Sequence, residues 1–317
     1  MNSKIQYHSD ILKKLSINIR DNIYSRVFKF KTNVFLCGGS TDNKESIRSK
    51  LDFYFKYYDN YIYKWKNLNI IYPEDVFEDL LVGKQSYDLL TLENILAESV
   101  DVIVIVPESP GSYTELGAFV NSDKLRKKVI CVQDTKYKDS NSFINYGPIK
   151  LMKKRKEGEI IFLDFQKIRN MDFEYDIITE LFGELWNLFF SISRVASYTE
   201  KKVDVSNIIQ AENFILPCIY LLEPTPKKYL NMLIKFGSDC SNNKARLAVL
   251  SALAILSKKD LVYHTSEGYK LTNHGIEHFQ KISERRKQHY FYHVDELDKI
   301  RIDILSWELR GKYPILL

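Results

Sequence analysis

The chain has 317 residues, of which 45% are hydrophobic and 27% charged, and its formal net charge is +5. This composition excludes a disordered chain, and the length suggests about two domains. Residues 1–200 carry 28 basic and 28 acidic side chains, whereas residues 201–317 carry 18 basic and 13 acidic ones. The uneven charge predicts two parts with different partners.

Sequence features of secreted and membrane-bound proteins are lacking. The four cysteines are widely spaced and include no CxxC pair, which disfavours a disulfide framework or a zinc site. The first residues lead into polar sequence, and no apolar run approaches the roughly 18 residues that span a bilayer. We therefore expect a reduced, cytoplasmic protein with no membrane partner and no metal.

The first predicted element is an amphipathic helix over residues 3–27, in which apolar residues recur at a spacing of four. Short apolar segments then alternate with helical patterns. The predicted strands are residues 33–36, 69–72, 102–106, 129–132 and 160–163. The predicted helices are residues 45–57, 76–81, 89–99, a helix from residue 112, and residues 175–194. This alternation predicts an α/β domain with a Rossmann-like, doubly wound parallel sheet.

A basic stretch lies between the fourth and fifth predicted strands. It contains Lys150, Lys153, Lys154, Arg155 and Lys156. Two interpretations stay open, a solvated loop and a patch that contacts phosphate groups.

After residue 200 the pattern becomes mainly helical. Helical patterns cover residues 208–222, 227–236 and 244–257, a hairpin signal follows at 261–271, and Thr272 then caps another helix. Three helices followed by a hairpin is the order of a winged helix, a DNA-binding fold. We expect an N-terminal helix, an α/β domain, a mainly α winged-helix-like domain and a helical tail, at residues 1–30, 31–200, 201–283 and 284–317.

The segment after the third predicted strand carries the candidate chemistry. Residues 107–118 have the sequence PESPGSYTELGA, a small-residue turn that leads into a helix. Ligands of open α/β sheets bind beyond the carboxyl ends of the strands. We expect Glu115 in the first helical turn, where the helix dipole favours the ionised form that could attack a sugar C1′. A structural alternative is that Ser112 and Glu115 form a capping box.

Other polar residues are predicted near the same edge of the sheet. Glu93 and Asn94 lie on the helix before the third strand. Gly38 and Gly39 follow the first strand, and Asp75 follows the second. The strand ends provide glycines and acids but no Lys or Arg, which favours a sugar and base site over a kinase. Because GxGxxG, P-loop, G-x-S-x-G and HExxH motifs are absent, nicotinamide-dependent hydride transfer, Ser-His hydrolysis and metal catalysis are disfavoured.

The Gly-Gly turn and the glutamate at the helix start resemble the nucleoside 2-deoxyribosyltransferase-like superfamily. Longer strings resemble the effectors of type II retrons, which join this domain to a winged-helix-like region. The strings are FLCGG at residues 35–39, YPED at 72–75, LENILAE at 92–98, PESPGSYTELGAF at 107–119 and SFINYGP at 142–148. The resemblance covers most of residues 30–280.

This resemblance implies an effector of a bacterial anti-phage system that cleaves the N-glycosidic bond of NAD+, with NAD+ as substrate and no cofactor. The retron reverse transcriptase and its msDNA, a DNA–RNA hybrid, would hold the protein, and such complexes can form filaments. Glu115 matches the catalytic glutamate of the family, and Glu93 lies near the position of a substrate-orienting aspartate. Ser109 replaces an aspartate of the transferases, which favours hydrolysis over base exchange.

We expect two sets of residues to contact ligands, one set contacting the substrate and the other contacting nucleic acid. Substrate contacts are expected from Gly38, Gly39, Asp75, Asn94, Ser109, Gly111 and Ser112. Nucleic-acid contacts are expected from Lys153, Lys154, Arg155, Lys156, Lys227, Lys228, Lys244, Arg246, Lys258 and Lys259. We expect the C-terminal part to dock on the hybrid or the reverse transcriptase rather than to recognise duplex sequence, and a purely structural domain is the alternative.

Two other functions stay open. The loop at residues 107–118 also resembles the PGGxGTxxE loop of phosphoribohydrolases, which implies an N-glycosidase or deoxyribosyltransferase acting on other nucleotides. The second glycine and an upstream arginine of that family are missing here. The third candidate is a non-catalytic, nucleic-acid-binding regulator built on the winged helix.

Overall fold

A computed structural model of the chain describes residues 9–25, 31–40, 42–61, 67–74, 88–170, 182–198 and 203–279, together with residues 302, 304 and 306. The chain forms two compact units. The sheet unit comprises Phe30–Glu78 and Lys84–Lys201, and the helical unit comprises Met1–Lys29, Asp79–Gly83 and Lys202–Leu317. The predicted helix at residues 76–81 and most of the predicted tail lie outside the described residues.

The described α-helices are, in chain order, α1 (Ser9–Ile19), α2 (Ile47–Tyr61), α3 (Leu89–Ser99), α4 (Pro110–Asn121), α5 (Lys150–Arg155), α6 (Phe165–Asn170), α7 (Phe182–Tyr198), α8 (Glu212–Leu222), α9 (Lys227–Ser238) and α10 (Asn242–Lys258). The strands are β1 (Lys31–Cys37), β2 (Asn67–Ile71), β3 (Val102–Ile105), β4 (Val129–Asp134), β5 (Glu159–Leu163), β6 (Val262–His264) and β7 (Tyr269–Leu271). Where residues are described, the predicted elements are confirmed, with shifts of a few residues at their ends. Among the described helices, none is long and apolar enough to cross a bilayer.

The sheet unit contains a five-stranded parallel sheet with the order β2-β1-β3-β4-β5. All four residues of β3 are buried, as its uninterrupted β-branched sequence predicts for a central strand. The strand order reverses between β1 and β3, so the connections leave their carboxyl ends in opposite directions and open a crevice there. The architecture is α/β and consistent with the predicted Rossmann-like class.

Helices cover both faces of this sheet. Alternate residues of the central strands, such as Val34 and Val104, belong to one buried cluster with side chains of α2, α6 and α7. Residues of the opposite parity face α4, where the ring of Phe35 lies 6.2 Å from that of Phe119. Each such buried side chain contributes about 1.5–3 kcal/mol through the hydrophobic effect.

The helical unit brings the N-terminal helix together with the C-terminal elements. Ser16 of α1 donates a hydrogen bond from its Oγ to the carbonyl oxygen of Leu233 in α9, at 2.6 Å. Helices α8 to α10 precede an antiparallel hairpin of β6 and β7, and Thr272 Oγ1 then accepts a hydrogen bond from the N–H of Gly275. The predicted order of elements and the Thr272 cap are confirmed, whereas assignment to the winged-helix fold stays a prediction.

The basic stretch before β5 is helical, so the interpretation as a loop is wrong. A π-helical turn, Asn145–Ile149, leads directly into α5, and Lys156 ends the helix in the left-handed region with φ of 53°. Ile149 and Met152 are buried. Their apolar side chains hold one side of the segment against the unit while its basic side chains stay exposed.

Candidate active site

Two carboxyl groups meet at the crevice between the carboxyl ends of β1 and β3. Glu115 of α4 hydrogen-bonds with Glu93 of α3 and with the thiol of Cys37, the last residue of β1. Cys37 is fully buried, so its thiol contacts Glu115 from the interior of the protein. The structure thus brings together the two residues predicted as catalytic. In the chain, the end of α3, strand β3 and the start of α4 lie between them.

The pair holds a proton. Burial raises the pKa of Glu115 to about 8, and the hydrogen bond and the charge of Glu93 add to this effect. Burial also raises the pKa of Glu93, while its hydrogen bond with Glu115 opposes the rise. At neutral pH the shared proton therefore lies mainly on Glu115, which donates to Glu93. Glu115 Oε2 is buried without a hydrogen-bond partner among the described residues, a condition that also favours the neutral acid.

The expectation that Glu115 is ionised in the first helical turn is wrong. Helix α4 begins at Pro110, so Glu115 is its sixth residue and lies beyond the turn where the dipole acts most strongly. The capping box joins Ser109 and Ser112: the Ser109 side chain accepts from the Ser112 N–H at 3.2 Å, and Ser112 Oγ accepts from the Ser109 N–H at 3.0 Å. Glu115 takes no part in the cap, which leaves its side chain for the crevice.

The predicted substrate contacts in this loop already have partners within the protein. Ser109 Oγ also donates to the carbonyl oxygen of Gly38 at 3.0 Å, and Ser112 is buried. Gly111 is exposed at the second helical position. The two serines therefore fix the start of α4, which in turn places Glu115, and their contact with substrate stays a prediction.

An arginine that was not predicted from the sequence also lies at this edge. Arg48, the second residue of α2, has a side chain only 2% exposed. Its guanidinium donates two hydrogen bonds to Glu74, at 2.7 and 2.8 Å, and one to the carbonyl oxygen of Gly39 at 3.1 Å. It also lies 4.7 Å from the centre of the Tyr72 ring. The expectation that the strand ends include no Lys or Arg holds only for the strands themselves, because this cation comes from a helix.

Arg48 changes the electrostatics of the site. Burial alone would raise the pKa of Glu74, but the hydrogen bonds and charge of Arg48 hold it below its ordinary value. The same positive charge favours ionisation of Glu115, against the effect of burial. The crevice therefore contains a fixed ion pair beside a proton-sharing pair.

Gly38 and Gly39 allow α2 to pack closely over the end of β1. A Cβ atom at Gly38 would lie 2.8 Å from the Cβ of Arg48, and one at Gly39 would lie 3.1 Å from the Cδ of Glu108. Glu108 accepts hydrogen bonds from the N–H groups of Gly39, Ile47 and Arg48, at 3.0 to 3.1 Å. Both of its carboxylate oxygens thus accept hydrogen bonds from N–H groups at the N-terminus of α2, where the helix dipole favours a negative charge.

We expect Gly38→Ala to destabilise the protein by about 1–3 kcal/mol, because the new methyl group would overlap Arg48. Gly111→Ala is the matched control, since the nearest atom to its Cβ is 3.9 Å away and alanine favours a helix. Urea unfolding of both variants measures the difference. Equal free energies of unfolding for the two would show that the approach of Arg48 does not require a glycine.

One other predicted contact, Asn94, is not brought to the carboxyl pair. Asn94 is exposed on α3, and its Nδ2 donates to the carbonyl oxygen of Leu90 at 3.0 Å. Asp75 lies outside the described residues.

The predicted nucleic-acid contacts lie in both units. Residues 153–156 are all exposed at the end of α5. In the helical unit, Lys244 pairs with Asp204 and Lys259 with Glu212, each at 2.8 Å. Such exposed pairs contribute only about 0–1 kcal/mol, so both lysines can exchange these partners for phosphate.

The remaining four basic residues lie on or next to α9 and α10. Lys228, Arg246 and Lys258 are exposed, and Lys227 is half-buried. Burial lowers the pKa of Lys227, and the charge of Arg246 adds to this effect, so these two cations lie near each other. Their mutual repulsion would be relieved by an anion.

Comparison with known proteins extends across both units. A sequence profile described as "STM3845 retron effector protein" matches residues 44–264. The Escherichia coli protein named "Retron Ec86 putative ribosyltransferase/DNA-binding protein" is 36% identical over 291 residues, which are 91% of this chain and 89% of the relative. A second E. coli protein, "Retron Ec73 putative ribosyltransferase/DNA-binding protein", is 32% identical over 248 residues, covering 74% and 77% of the two chains. The profile match includes Arg48, Glu93 and Glu115.

Proposed function

The chain belongs to the family of STM3845 retron effector proteins, and on that premise we propose that the crevice beside β1 and β3 hydrolyses the N-glycosidic bond of NAD+. The observation that carries the proposal is the hydrogen-bonded pair of Glu93 and Glu115 at the point where the strand order reverses. Perturbed carboxyl groups in such a crevice are typical of an active site.

The charge of the pair favours a cationic substrate. Two carboxyl groups that share one proton carry a single negative charge. The nicotinamide ring of NAD+ carries one positive charge on the nitrogen of its glycosidic bond. It leaves as a neutral base, so its departure needs no proton donor, whereas the neutral base of an ordinary nucleoside does. The pair therefore suits NAD+ better than a neutral nucleoside.

In the proposed mechanism the cationic ring favours ionisation of Glu115, whose proton is lost to solvent while Glu93 stays ionised. A carboxylate oxygen of Glu115 attacks C1′ of the ribose, and the bond from C1′ to nicotinamide breaks with its electron pair going to the ring nitrogen. Water then attacks C1′ while Glu93 accepts its proton, and the bond from C1′ to Glu115 breaks with its electron pair returning to the carboxylate. This step releases ADP-ribose, and the proton on the pair restores the starting state. Glu93 acts on the same side of the sugar as Glu115, because hydrogen-bonded carboxyl groups cannot flank the bond from opposite faces.

Ribosyl transfer to an acceptor other than water is the second candidate, because both relatives are named as ribosyltransferases. Ser109 stands where transferases of the resembled superfamily carry an aspartate, and its hydroxyl serves the helix cap, which favours hydrolysis. A panel of NAD+ and nucleoside monophosphates tests the choice through the free bases released. Nicotinamide with ADP-ribose supports the proposal, and adenine or cytosine without nicotinamide would replace it with a nucleotide N-glycosidase.

We also propose that the protein works together with a retron reverse transcriptase and its DNA–RNA hybrid, including in filaments. Membership of the effector family and the exposed basic residues of both units support this association. A non-catalytic regulator would lose anti-phage function on deletion of residues 204–317 but keep it in Glu115→Gln. Loss of function in both variants, with Glu115→Gln still assembling with the reverse transcriptase, supports the enzyme.

A further inference from the structure

The segment between β4 and β5 exposes three large aromatic rings within ten residues. Phe143 is 84% exposed, Tyr146 is 62% exposed and Tyr137 is 46% exposed. Single exposed apolar residues are common, but rings clustered in one segment indicate a binding surface. This segment lies apart from Glu93 and Glu115 in the sequence, and none of the three rings contributes to the hydrogen bonds of that pair.

Internal hydrogen bonds hold the backbone of this segment and one of its rings, that of Tyr146. Asn145 Nδ2 donates to the carbonyl oxygens of Tyr137 and Ser140, at 2.8 and 2.7 Å, which ties the loop to the helical turn. The hydroxyl of Tyr146 donates to Asn141 Oδ1 at 2.8 Å. A Cβ atom at Gly147 would lie 3.4 Å from the Phe143 ring, so that ring rests on the backbone and leaves its other face to solvent. The Tyr146 ring, held by its hydroxyl, therefore loses little conformational entropy on binding.

Positive charge surrounds the rings. Residues 136–156 contain seven basic side chains and one acidic side chain, whereas the rest of residues 1–200 contains 21 basic and 27 acidic ones. All seven basic side chains are exposed. Lys136 lies 4.7 Å from the centre of the Tyr137 ring, and Lys150 lies 5.9 Å from that of Tyr146. In the described part of the chain, Lys153 and Lys154 have no ion-pair partner.

From this arrangement we infer that single-stranded nucleic acid binds here, with unpaired bases stacked on the rings and phosphates beside the lysines. We name this the aromatic–lysine surface, and it consists of Tyr137, Phe143, Tyr146, Lys136, Lys138, Lys150, Lys153 and Lys154. Exposed rings alternating with cations along a surface are what sequence-tolerant single-strand binders use, because every base has a face for stacking. A duplex keeps its bases stacked on one another and offers the rings nothing to contact.

The charge favours nucleic acid over a protein partner. The cores of protein interfaces are depleted in lysine, yet here lysines lie within reach of two of the rings. The inference is independent of the NAD+ chemistry, because it assigns no role to Glu93 or Glu115. It also predicts a nucleic-acid contact on the sheet unit, in addition to any made by the helical unit.

The test compares the affinities of the full-length protein and its variants for fluorescent oligothymidylate and oligouridylate of about 15 nucleotides. Phe143→Ala combined with Tyr146→Ala is expected to weaken binding to the single strands about tenfold or more, and to leave binding to a blunt duplex within about twofold. Tyr198→Ala is the matched control, because this residue is 77% exposed on α7, outside the surface. Preference for one oligonucleotide would identify the chemical source of the strand as DNA or RNA.

The charge contribution is tested with Lys153→Gln combined with Lys154→Gln. For two phosphate contacts, the slope of log affinity against log salt should become shallower by about 1.4, at about 0.7 per phosphate of a single strand. NAD+ hydrolysis is measured on every variant and should stay within about twofold of wild type, which separates this inference from the proposed activity. Unchanged affinity of the Phe143→Ala, Tyr146→Ala variant for single strands would overturn the inference. It would also be overturned if this variant lost binding to the reverse transcriptase and kept its binding to single strands.

Discussion

Replacing Glu115 with glutamine is expected to reduce nicotinamide release from NAD+ by about 10⁴-fold or more, because the amide cannot form the bond to C1′. The fold should be preserved. Glutamine has nearly the shape of the protonated acid present at neutral pH, and its amide N–H can donate to Glu93 as the acid does. The assay follows nicotinamide over time, with thermal unfolding measured on the same preparation.

Glu98→Gln is the control for this substitution. Glu98 lies on the same helix as Glu93, and its exposed carboxylate pairs with Lys124 at 2.8 Å. We expect this variant to keep the rate of wild type, because the change is on the surface. Residual activity in Glu115→Gln within tenfold of wild type would contradict the assignment of Glu115 as nucleophile.

The pH dependence of the rate is the second large effect. Glu115 must be ionised to attack, and burial beside Glu93 raises its pKa to about 8 in the free protein. The ratio kcat/KM reports groups of the free enzyme, so it should rise about tenfold per pH unit from pH 6 and level off above about pH 8. Initial rates at low NAD+ concentration measure this profile. A profile that falls over the same range would indicate that Glu115 acts as a proton donor instead.

The proton of Glu115 also makes the free energy of unfolding depend on pH. The pKa of the Glu115 carboxyl is higher in the folded chain, at about 8, than its ordinary value of 4.5. Its contribution therefore stabilises the fold fully below about pH 4.5 and is lost as the pH rises through about 8. Urea unfolding of wild type and Glu115→Gln should diverge with increasing pH, with the variant becoming relatively more stable. A constant difference from pH 5 to 9 would show that burial of Glu115 is not linked to its protonation.

Local patterns predicted most of the sheet unit. The β-branched sequence at residues 102–106 specifies a buried central strand, and the periodicity of residues 89–99 gives both ends of α3 correctly. The start of α4 was misplaced because Ser109 and Ser112 are both acceptable caps. Pro110 favours the earlier start, since a proline suits the first helical position. The cap at Ser109 instead of Ser112 places Glu115 beyond the first helical turn, and burial beside Glu93 raises its pKa.

The remaining differences depend on contacts between distant residues. Arg48 reaches the crevice only because two glycines let α2 approach β1, and its partner Glu74 lies 26 residues away. No local pattern indicates such a contact. The helical form of residues 150–155 was missed for a related reason, since the lysines suggest exposure while the two buried apolar residues are only a small part of the segment.

Cleavage of NAD+ is measured by incubating the purified protein with NAD+, alone and together with the reverse transcriptase and its DNA–RNA hybrid. The products are then identified by mass spectrometry. Our expectation is equimolar nicotinamide and ADP-ribose in at least one of these reactions, and neither product in the matching reaction with Glu115→Gln. Intact NAD+ in every reaction, in a preparation that cleaves the N-glycosidic bond of another nucleotide, would contradict it.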